Sequence, residues 1–532
     1  MSTLLSQLNY SPHVLQFGTS GRRGLITDLT QLEIYINVTA ELEYLMGLPR
    51  EDGGIRTGDD FYYALDLRPS SPVLAEAVER AVTDAGLRVI SLGKIPTPAL
   101  MFYALSKGCA SIMVTGSHIP FDRNGYKLNT SRGELLKQHE QPIGAKVAEV
   151  RERVYAGSFT EAAFDAAGML RAQPALAPPI HAGRDAYFAR YVEFFSAWPE
   201  GLAGRRILVY QHSAVGRDLL AGLLTKLGAE VIPAGRSESF VPIDTENIDA
   251  EQLAAIQKLA DEHPGLWAVV SIDGDSDRPL ILSVDARSGQ VRFFGGDLVG
   301  MIVAEYLHAD AVVVPISCND AIDRGSLAGV LEPKTRIGSP FVIGGMDAAL
   351  KKGRHAVCGW EANGGFLLGS DIERAGRRLT ALATRDAFLP VLAVLFAAAE
   401  RGIDIATLFG ELPRRFSKAG LLKNFPREAG LEIVRHLTPS GNDADAHVKI
   451  ATDLARVFTP AHGFKSVSRL DYTDGVRIIF SNNDVAHIRP SGNADELRIY
   501  AAADTQARAD AIVAEGVREP DGILRSFQRL LA

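Results

Sequence analysis

The sequence predicts an α/β protein built from three related α/β units and a smaller α+β C-terminal domain. Its 532 residues exceed what one hydrophobic core holds, since domains contain roughly 100 to 200 residues each. Strand-like apolar runs alternate with amphipathic helical stretches in three successive units, and each unit ends in a polar loop. Shorter mixed elements follow Gly410. We therefore expect an internal repeat whose loops converge on one site.

The elements of each unit follow from hydrophobic periodicity and from the positions of Gly and Pro. The first unit has the order β-α-β-α-β at residues 61–67, 73–85, 87–92, 98–106 and 110–114. The second has the same order at residues 207–210, 216–227, 230–232, 250–261 and 267–272. The third is less regular, with strands at 311–316, 335–337 and 355–357 and a helix at 342–351. The last domain has a predicted helix at 428–437 and strand-like runs at 475–480, 486–488 and 497–502.

Two segments are predicted connections between domains. Residues 411–427 lack clean periodicity and contain Pro413 and Pro426, which favours a linker before the last domain. Residues 151–179, rich in alanine and ending in several prolines, are the candidate connection between the first two domains. The predicted domains are therefore residues 1–170, 171–298, 299–410 and 411–532.

The composition describes a globular protein, with 46% hydrophobic residues, 23% charged residues and 50 glycines. The net charge of −8 argues against a general nucleic-acid or anionic-membrane binder, so a cluster of Arg and Lys indicates a local anionic ligand. The cysteines Cys109, Cys318 and Cys358 are far apart without metal-site spacing, which predicts buried free thiols. The N-terminus lacks signal-peptide features and no segment reaches 18 uninterrupted apolar residues, so we expect a cytoplasmic location.

The first unit ends in a loop with the sequence TGSHIPFDRNGYK, at residues 115–127. It brings together a hydroxyl, a histidine and an amine at the carboxyl end of a predicted buried strand, where ligands bind in open α/β sheets. Ser117 is the candidate nucleophile, and His118 and Lys127 are its neighbours. The alternative is an ordinary turn with a half-exposed histidine.

The second unit ends in SIDGDSDR, which places Asp273, Asp275 and Asp277 at alternate positions after a strand. Three carboxylates so close repel strongly unless a cation lies between them, and open positions for water or phosphate oxygens suit Mg²⁺. An EF-hand calcium loop is excluded, because Arg278 and Val284 occupy the positions that require Gly and Glu. The alternative is a solvated acidic turn, and Arg278 favours the metal site because it suits a bridging phosphate.

Three further loops carry groups suited to a sugar phosphate. Residues 18–24, GTSGRRG, combine glycines for close approach to an anion with two guanidinium groups, and match no nucleotide-binding motif. Residues 359–365, GWEANGG, offer a carboxylate and an amide for adjacent sugar hydroxyls. Residues 489–498, RPSGNADELR, offer donors for a phosphate monoester. Each of these loops, taken alone, is equally well explained as a turn.

The four motifs TGSHIPFDRNGYK, IDGDSDR, GWEANGG and RPSGN, in this order over almost the whole chain, resemble the α-D-phosphohexomutase superfamily of phosphoglucomutases and phosphomannomutases. The resemblance implies a four-domain enzyme, in which three related α/β domains with mixed sheets and a smaller α+β C-terminal domain surround a central cleft. It also implies a resting phosphoserine at Ser117. Mg²⁺ would be held by Asp273, Asp275, Asp277 and an oxygen of that phosphoserine.

The same matching implies roles for the remaining site residues. Arg23 and Lys127 fall beside the reacting phosphate, and Glu361 and Asn363 fall on the sugar-hydroxyl loop. The other expected substrate-binding residues are Thr19, Ser20, Arg278, Arg489, Ser491, Gly492, Asn493 and Arg498.

The chain departs from the pattern of the superfamily at four places. Ile119 stands where Asn is common beside the nucleophile, and Ser276 replaces a Gly between the metal ligands. Asn363 and Gly365 replace the Ser and His that are common in the sugar loop, so the preferred sugar does not carry over. Asn493 stands where Thr is frequent and keeps the capacity for hydrogen bonding.

The expected activity is the interconversion of hexose 1-phosphates and 6-phosphates, of mannose or glucose. Phospho-Ser117 gives its phosphoryl group to the substrate, and a bound hexose 1,6-bisphosphate, which also serves as activator, then turns end for end and returns a phosphoryl group. Lys127 is the first candidate for the proton shuttle and His118 the second. Alternatives are a phosphoglucosamine mutase, a metal-dependent phosphatase, and a non-catalytic sugar-phosphate-binding protein. The expected partners are small sugar phosphates, without nucleic acid or membrane, and the expected state is a monomer or homodimer.

Overall fold

A computed structural model describes residues 2–18, 21–172, 175–198, 200–246, 248–439, 444–490 and 495–531. Its elements form four main sheets with helices packed on them, and a short hairpin accompanies the third sheet. Three sheets are mixed and the last is antiparallel, so the predicted fold class is confirmed.

The first sheet has the strand order β1-β5-β4-β2-β3, and β6 pairs with β5. Its strands are β1 Arg22–Leu25, β2 Asp60–Leu65, β3 Arg88–Lys94, β4 Ser111–Val114, β5 Arg123–Thr130 and β6 Gly133–Glu134. Strands β3, β2 and β4 are parallel, whereas β5 runs antiparallel to both β4 and β1. The helices are α1 Leu4–Gln7, α2 Gln31–Gly47, α3 Ser71–Asp84, α4 Thr97–Ser106 and α5 Glu140–Ala156. Thr30 caps α2 by accepting a hydrogen bond from the Glu33 backbone N–H.

The second sheet has the order β11-β10-β9-β7-β8. Its strands are β7 Arg206–His212, β8 Glu230–Arg236, β9 Ala268–Ile272, β10 Pro279–Val284 and β11 Val291–Phe294. Strands β8, β7 and β9 are parallel, and β10 returns antiparallel to β9. The helices are α6 Ala182–Phe195, α7 Arg217–Lys226 and α8 Ala250–Asp261.

The third sheet has the order β12-β13-β14-β17. Its strands are β12 Ala311–Val313, β13 Val357–Trp360, β14 Phe366–Leu368 and β17 Leu382–Asp386. The separate hairpin between β14 and β17 consists of β15 Ile372–Arg374 and β16 Arg377–Leu379. Strands β12 and β13 are parallel, and β14 runs antiparallel to β13 and to β17. The helices are α9 Gly296–Tyr306, α10 Ser339–Lys351, α11 Phe388–Glu400 and α12 Ile405–Gly410.

The C-terminal sheet is antiparallel throughout, with the order β18-β22-β21-β20-β19. Its strands are β18 Phe416–Lys423, β19 Val467–Asp471, β20 Val476–Phe480, β21 Val485–Pro490 and β22 Glu496–Ala503. The helices are α13 Arg427–Leu437, α14 Ala444–Val457, α15 Gln506–Val517 and α16 Ile523–Leu531.

The first three sheets repeat one connection. A parallel strand enters a polar loop, and the next strand returns beside it in the antiparallel direction, in the pairs β4–β5, β9–β10 and β13–β14. These loops carry the serine, the three aspartates and Glu361 respectively. The fourth polar loop joins the antiparallel pair β21 and β22. The loops predicted to be equivalent therefore occupy equivalent places in the three related sheets.

Two large apolar cores differ in what they join. One cluster takes buried residues from all of the first three sheets and from α11, whose apolar residues are buried on every side. The C-terminal domain has a separate cluster built around Phe458, Phe464 and Phe480. Within the described ranges, no helix combines the length and the apolar character needed to cross a membrane.

Several sequence-based expectations were wrong. Residues 416–423 of the predicted linker form the edge strand β18, which pairs with β22 along its whole length, because tertiary pairing outweighed its weak periodicity. Residues 151–156 of the other predicted connection complete α5. At residues 335–337 only an isolated bridge from Thr335 to Pro315 forms, and Cys109 is half-buried, unlike Cys318 and Cys358. The domain boundaries stay a prediction.

Candidate active site

Ser117 lies at the centre of the site and is completely buried. Its backbone has a positive φ of 54°, which is uncommon for a residue other than glycine. The backbone N–H of Ser117 donates to Thr115 Oγ1 at 2.7 Å, and the Thr115 hydroxyl donates to Asp66 Oδ2 at 2.8 Å. The Ser117 hydroxyl donates to Asp273 Oδ2 at 3.1 Å, and His118 Nδ1 lies 3.3 Å from Ser117 Oγ. The loop thus directs its hydroxyl at the aspartates of the second sheet.

Arg68, which the sequence analysis missed, holds the serine loop in shape. Its guanidinium donates to four backbone carbonyls of the loop, those of Ser117, Ile119, Pro120 and Arg123. It also pairs with Asp66 at 3.3 Å and lies 3.7 Å from the ring centre of Phe240, a residue that follows the second unit's β8. Arg68 is buried, and a Cβ at Gly116 would lie 2.6 Å from it, so this packing requires the glycine. The only sequence signal was a charged residue at the carboxyl end of β2.

The three aspartates form one buried group, and ligand oxygens from all three lie within 4.8 Å of one another. Asp273 Oδ1 accepts from the backbone N–H groups of Asp277 and Arg278, at 3.0 and 3.1 Å. Asp275 Oδ2 accepts from the Thr97 hydroxyl at 2.7 Å. Asp275 Oδ1 and Asp277 Oδ1 are buried without a hydrogen-bond partner among the described residues. Two carboxylate oxygens that lie close together without partners are suitable ligands for a hard divalent cation, which prefers oxygen atoms.

Lys127 lies on β5, opposite Met113 of β4, and reaches the aspartates. Its ammonium donates to Asp275 Oδ2 at 2.6 Å and to Asp277 Oδ2 at 2.7 Å. Burial alone raises the pKa of a carboxyl group, but Lys127, with the Thr97 hydroxyl, holds the pKa of Asp275 well below its usual range. The pKa of Asp277 is also lowered, because Arg385 and Lys127 outweigh burial there.

At Asp273 the nearby positive charges do not outweigh burial and the neighbouring carboxylates. Burial, followed by repulsion from Asp275 and Asp277, raises the pKa of Asp273 well above its usual range. Three carboxylates this close repel one another even with basic residues around them, which is the electrostatic reason that these residues fit a divalent cation.

Arg23 and Arg278 bring further positive charge to the site. Arg23 lies on β1 opposite Gly125 of β5, and Arg278 follows the last aspartate and pairs with Asp277 at 3.7 Å. The Nε atoms of both guanidinium groups are buried without a hydrogen-bond partner within the described part of the chain. Burial, reinforced by Arg278, lowers the pKa of Arg23 to about 10. Unsatisfied buried donors beside a serine hydroxyl fit the oxygens of a phosphoryl group.

The third sheet supplies Glu361 and Asn363 in a tight turn. Gly364, with φ of 85°, lets its N–H donate to the Glu361 carbonyl at 2.9 Å, and Asn363 Oδ1 accepts from the Gly365 N–H at 3.0 Å. The hydroxyl of Thr245 donates to the Asn363 carbonyl at 2.8 Å. Because Thr245 comes from the second domain, this contact fixes the turn against the neighbouring sheet.

Arg385, also missed from the sequence, joins this turn to the aspartates. It lies on β17, is buried, and donates from Nε to Asp277 Oδ2 and from a terminal nitrogen to Glu361 Oε2, each at 3.1 Å. One guanidinium therefore connects the metal-type carboxylates with the candidate sugar-binding carboxylate.

The C-terminal hairpin is less tightly held. Arg489 of β21 lies opposite Arg498 of β22, and its Nε donates to Asp474 Oδ2 at 3.1 Å. Asp474 Oδ2 also accepts from the backbone N–H of Ile337 in the third domain, at 3.0 Å. A cavity of about 600 Å³ is lined mainly by residues 292–298 and 409–419, and of the sugar loop only Ala362 reaches it, so it lies beside the site and not within it. Among the predicted site residues, Thr19, Ser20, Ser491, Gly492 and Asn493 lie outside the described residues.

Comparison with known proteins gives a consistent result over most of the chain. Residues 14–154 match the phosphoglucomutase/phosphomannomutase α/β/α domain I, residues 295–416 match domain III, and residues 435–519 match the C-terminal domain. A phosphomannomutase of Sinorhizobium fredii is 36% identical over 510 residues, which cover 94% of this chain and 98% of that protein. The chain belongs to the phosphoglucomutase/phosphomannomutase family.

Other members of the family agree with this assignment. A phosphomannomutase of Salmonella muenchen is 37% identical over 499 residues, which cover 94% of each chain. The crystal structure of a phosphoglucomutase/phosphomannomutase family protein from Burkholderia thailandensis has the same fold, with a TM-score of 0.64, 18% identity, and coverage of 94% of this chain and 98% of that one. The protein is therefore a phosphohexomutase, and the predicted superfamily and enzyme class are confirmed.

The structure accounts for two departures of this mutase from the family pattern. Ser276 has a positive φ of 64°, the conformation that glycine adopts most easily, and its Oγ accepts from the Gly216 N–H at 2.9 Å. Ile119 contributes its backbone carbonyl to Arg68, a contact that does not depend on its side chain. Both substitutions are thus compatible with the loop geometry.

Proposed function

We propose that this phosphohexomutase interconverts mannose 1-phosphate and mannose 6-phosphate, with glucose phosphates as further substrates, through phospho-Ser117 and a bound hexose 1,6-bisphosphate. The observation that carries the proposal is the buried Ser117 hydroxyl, 3.1 Å from Asp273, in a group of three aspartates that also pair with Lys127 and Arg278. The two phosphomannomutase relatives support the choice of mannose as the first sugar.

The aspartates are the proposed Mg²⁺ ligands. Asp273, Asp275 and Asp277 would hold the ion together with an oxygen of phospho-Ser117, and the two orphaned carboxylate oxygens support this set. When bound, Mg²⁺ supplies a Lewis acid that offsets negative charge on the transferring phosphoryl group.

The chain's own residues then act on the reacting atoms. The bond between phosphorus and Ser117 Oγ breaks while a bond forms from phosphorus to the free hydroxyl oxygen of the sugar, and the proton of that hydroxyl is passed to the departing Ser117 Oγ. Lys127 is the proposed proton carrier and His118, 3.3 Å from Ser117 Oγ, is the second candidate. Arg23 and Arg278, whose buried Nε groups lack hydrogen-bond partners among the described residues, are proposed to donate to the phosphoryl oxygens.

The rest of the cleft binds the far part of the substrate. Glu361 and Asn363 are the proposed ligands of adjacent sugar hydroxyls, because a carboxylate and an amide together accept and donate hydrogen bonds. Arg489 and Arg498, with Thr19, Ser20, Ser491, Gly492 and Asn493, are proposed to bind the phosphate that does not react.

The test is the intact mass of the wild-type protein and of Ser117→Ala before and after incubation with glucose 1,6-bisphosphate. We expect a phosphate-sized mass addition that is confined to the protein with Ser117. Conversion of mannose and glucose 1-phosphates to 6-phosphates, with and without Mg²⁺, then ranks the sugars. Phosphorylation of Ser117→Ala, or turnover without phosphoserine, would refute the assignment of Ser117. Release of inorganic phosphate without isomerisation would show a phosphatase instead.

A further inference from the structure

The sugar loop of this chain has a glycine at position 365, and the side chain of Arg385 fills the space beside it. Gly365 has no side chain, and a Cβ built on it would lie 2.6 Å from Arg385 Cδ, 2.7 Å from Cγ and 3.1 Å from Cβ. These atoms are the stem of the arginine, which cannot move aside as its tip could. The backbone of Gly365 does not itself demand glycine, because its φ is not positive. The glycine is therefore required by Arg385.

The register of the sheet explains how the two residues meet. Strand β17 pairs with β14 in the antiparallel direction with Phe366 opposite Asp386, so Gly365 and Arg385 are diagonal neighbours across the strand pair. Arg385 then extends past Gly365 toward the cleft, where its fork contacts Glu361 and Asp277. Its side chain is 4% exposed and that of Glu361 is 6% exposed, so both charges are almost removed from water.

Gly365 leaves the space that the side chain of Arg385 needs. We propose that Arg385 is a positioning residue, which sets the orientation of Glu361 toward the sugar hydroxyls and thereby contributes to sugar preference. The proposal rests on the function proposed above, in which Glu361 binds the sugar. It gives a physical reason for the glycine at 365, where the family commonly has a larger polar residue.

Charge and geometry favour a guanidinium in this place. Glu361 and Asp277 are two buried carboxylates that repel each other unless a cation lies between them. A planar guanidinium donates to both at once, whereas an ammonium on a flexible stem reaches them less well. Asp277 keeps a second partner in Lys127, at 2.7 Å, so loss of Arg385 should disturb Glu361 more than the aspartate group.

The first test replaces Arg385 by Gln and by Lys. A hydrogen bond to a charged group contributes about 1.5 to 3 kcal/mol, so we expect Arg385→Gln to lower kcat/KM for mannose 1-phosphate about 10- to 100-fold. The ratio of kcat/KM between mannose and glucose 1-phosphates should change as well, and Arg385→Lys should recover part of the loss.

Arg190 provides the matched control. It is a buried arginine on α6 that donates to the hydroxyl and the carbonyl of Thr380, each at 2.7 Å, away from the carboxylates. Arg190→Gln should lower stability while the sugar ratio stays as in the wild type. If Arg385→Gln also loses only stability and keeps the ratio, the positioning role is wrong.

The second test is a double-mutant cycle of Gly365→Ala and Arg385→Ala, read as melting temperature and as activity. Gly365→Ala should lower both in the wild-type background and have a much smaller effect when Arg385 is already Ala, because the contacts with Cγ and Cδ are then gone and only the 3.1 Å contact with Cβ remains. Equal effects in both backgrounds would overturn the proposal. The melting temperatures show whether residues 365 and 385 clash even if the wild-type protein has no mutase activity. Failure of this inference can therefore be distinguished from failure of the proposed function.

Discussion

The two ends of the candidate cleft are built differently. At the reacting end, Ser117 and the three aspartates are at most 1% exposed and belong to domains that share one apolar core. At the far end, the side chains of Arg489 and Arg498 are 17% and 41% exposed, on a domain with its own core. Phosphoryl transfer requires reacting atoms held in fixed positions, whereas a substrate that turns around requires a site that releases either phosphate. The difference therefore matches the two tasks of a mutase.

The partners of each region lead to the same conclusion. Arg68 and Arg385 each join loops through several buried hydrogen bonds at the reacting end. The far end contacts the third domain through Asp474 and through Arg415, a buried arginine that pairs with Asp320 and with Asp504. Domains that have separate cores and meet through polar contacts are expected to move relative to one another. Variants at the reacting end should thus alter kcat, and variants at the far end should alter KM.

The largest effect is expected for Asp275→Asn. One of three carboxylate charges is lost where Mg²⁺ would bind, and stabilisation by a metal amounts to several kcal/mol, so turnover should fall roughly 100- to 1000-fold. The measurement is turnover and calorimetric Mg²⁺ affinity as the ion is titrated. Asp285→Asn, an exposed aspartate after β10, is the control and should leave both unchanged. Near-normal turnover of Asp275→Asn at limiting Mg²⁺ would contradict the metal assignment.

The next largest effect is expected for Arg68→Lys. An ammonium cannot donate to all four carbonyls of the serine loop, so Ser117 should be misplaced and kcat should fall about 100-fold with little change in KM. Steady-state kinetics and the rate of Ser117 phosphorylation measure this.

The control for Arg68 is Arg217→Lys. Arg217 is a buried arginine that likewise donates to backbone carbonyls, those of His212 and Ser237, but in the second domain. It should lower stability without a specific fall in kcat. If both variants lose kcat equally, the effect of Arg68 is general and the comparison between the two ends fails.

A smaller effect is expected for Asp474→Asn at the far end. The Asp474 carboxylate accepts a hydrogen bond from Arg489 at 3.1 Å, and in the proposed function a substrate phosphate would compete with it for the same guanidinium. Partly exposed pairs contribute about 0.2 to 1 kcal/mol, so the variant should lower KM no more than about fivefold and leave kcat nearly unchanged. Asp484→Asn, which removes the partner of Arg508 elsewhere in the domain, should leave KM unchanged. A raised KM for Asp474→Asn would show that this aspartate orients Arg489 for binding.

The last prediction concerns stability in acid and not catalysis. Burial, reinforced by Arg477, lowers the pKa of His487 in the C-terminal domain to about 4, with Asp474 and Arg489 nearby. As pH falls below about 6.5, His487 binds a proton in the unfolded chain, whereas in the folded chain it does so only near pH 4. The free energy of unfolding therefore falls over this window by about 3 kcal/mol. Urea unfolding at pH 7 and pH 5 should show a loss for the wild type and a smaller loss for His487→Gln. Equal losses would exclude His487 as the cause.

Much of this result was accessible from the sequence, for identifiable reasons. Alternation of apolar and polar residues predicted the strands and helices of the first two units, and α8 was predicted at residues 250–261 as observed. The aspartates lie within five consecutive residues, so their meeting required no tertiary information. Helix α11 escaped prediction because it is apolar all round and has no periodicity. Strand β18 escaped because its pairing with β22 links residues about 80 positions apart.

By itself the sequence determined the family, the fold class and the local motifs, because these depend on the order and spacing of neighbouring residues. Only the tertiary structure brought Ser117 to Asp273, 156 residues away, and Lys127 to Asp275, 148 residues away. It also selected Arg68 and Arg385 from among 56 basic residues, because their importance comes from burial beside carbonyls and carboxylates of distant loops. Such pairings leave no local pattern, since hydrogen bonds and buried charges between loops depend on how the sheets pack and not on what precedes or follows each residue in the chain.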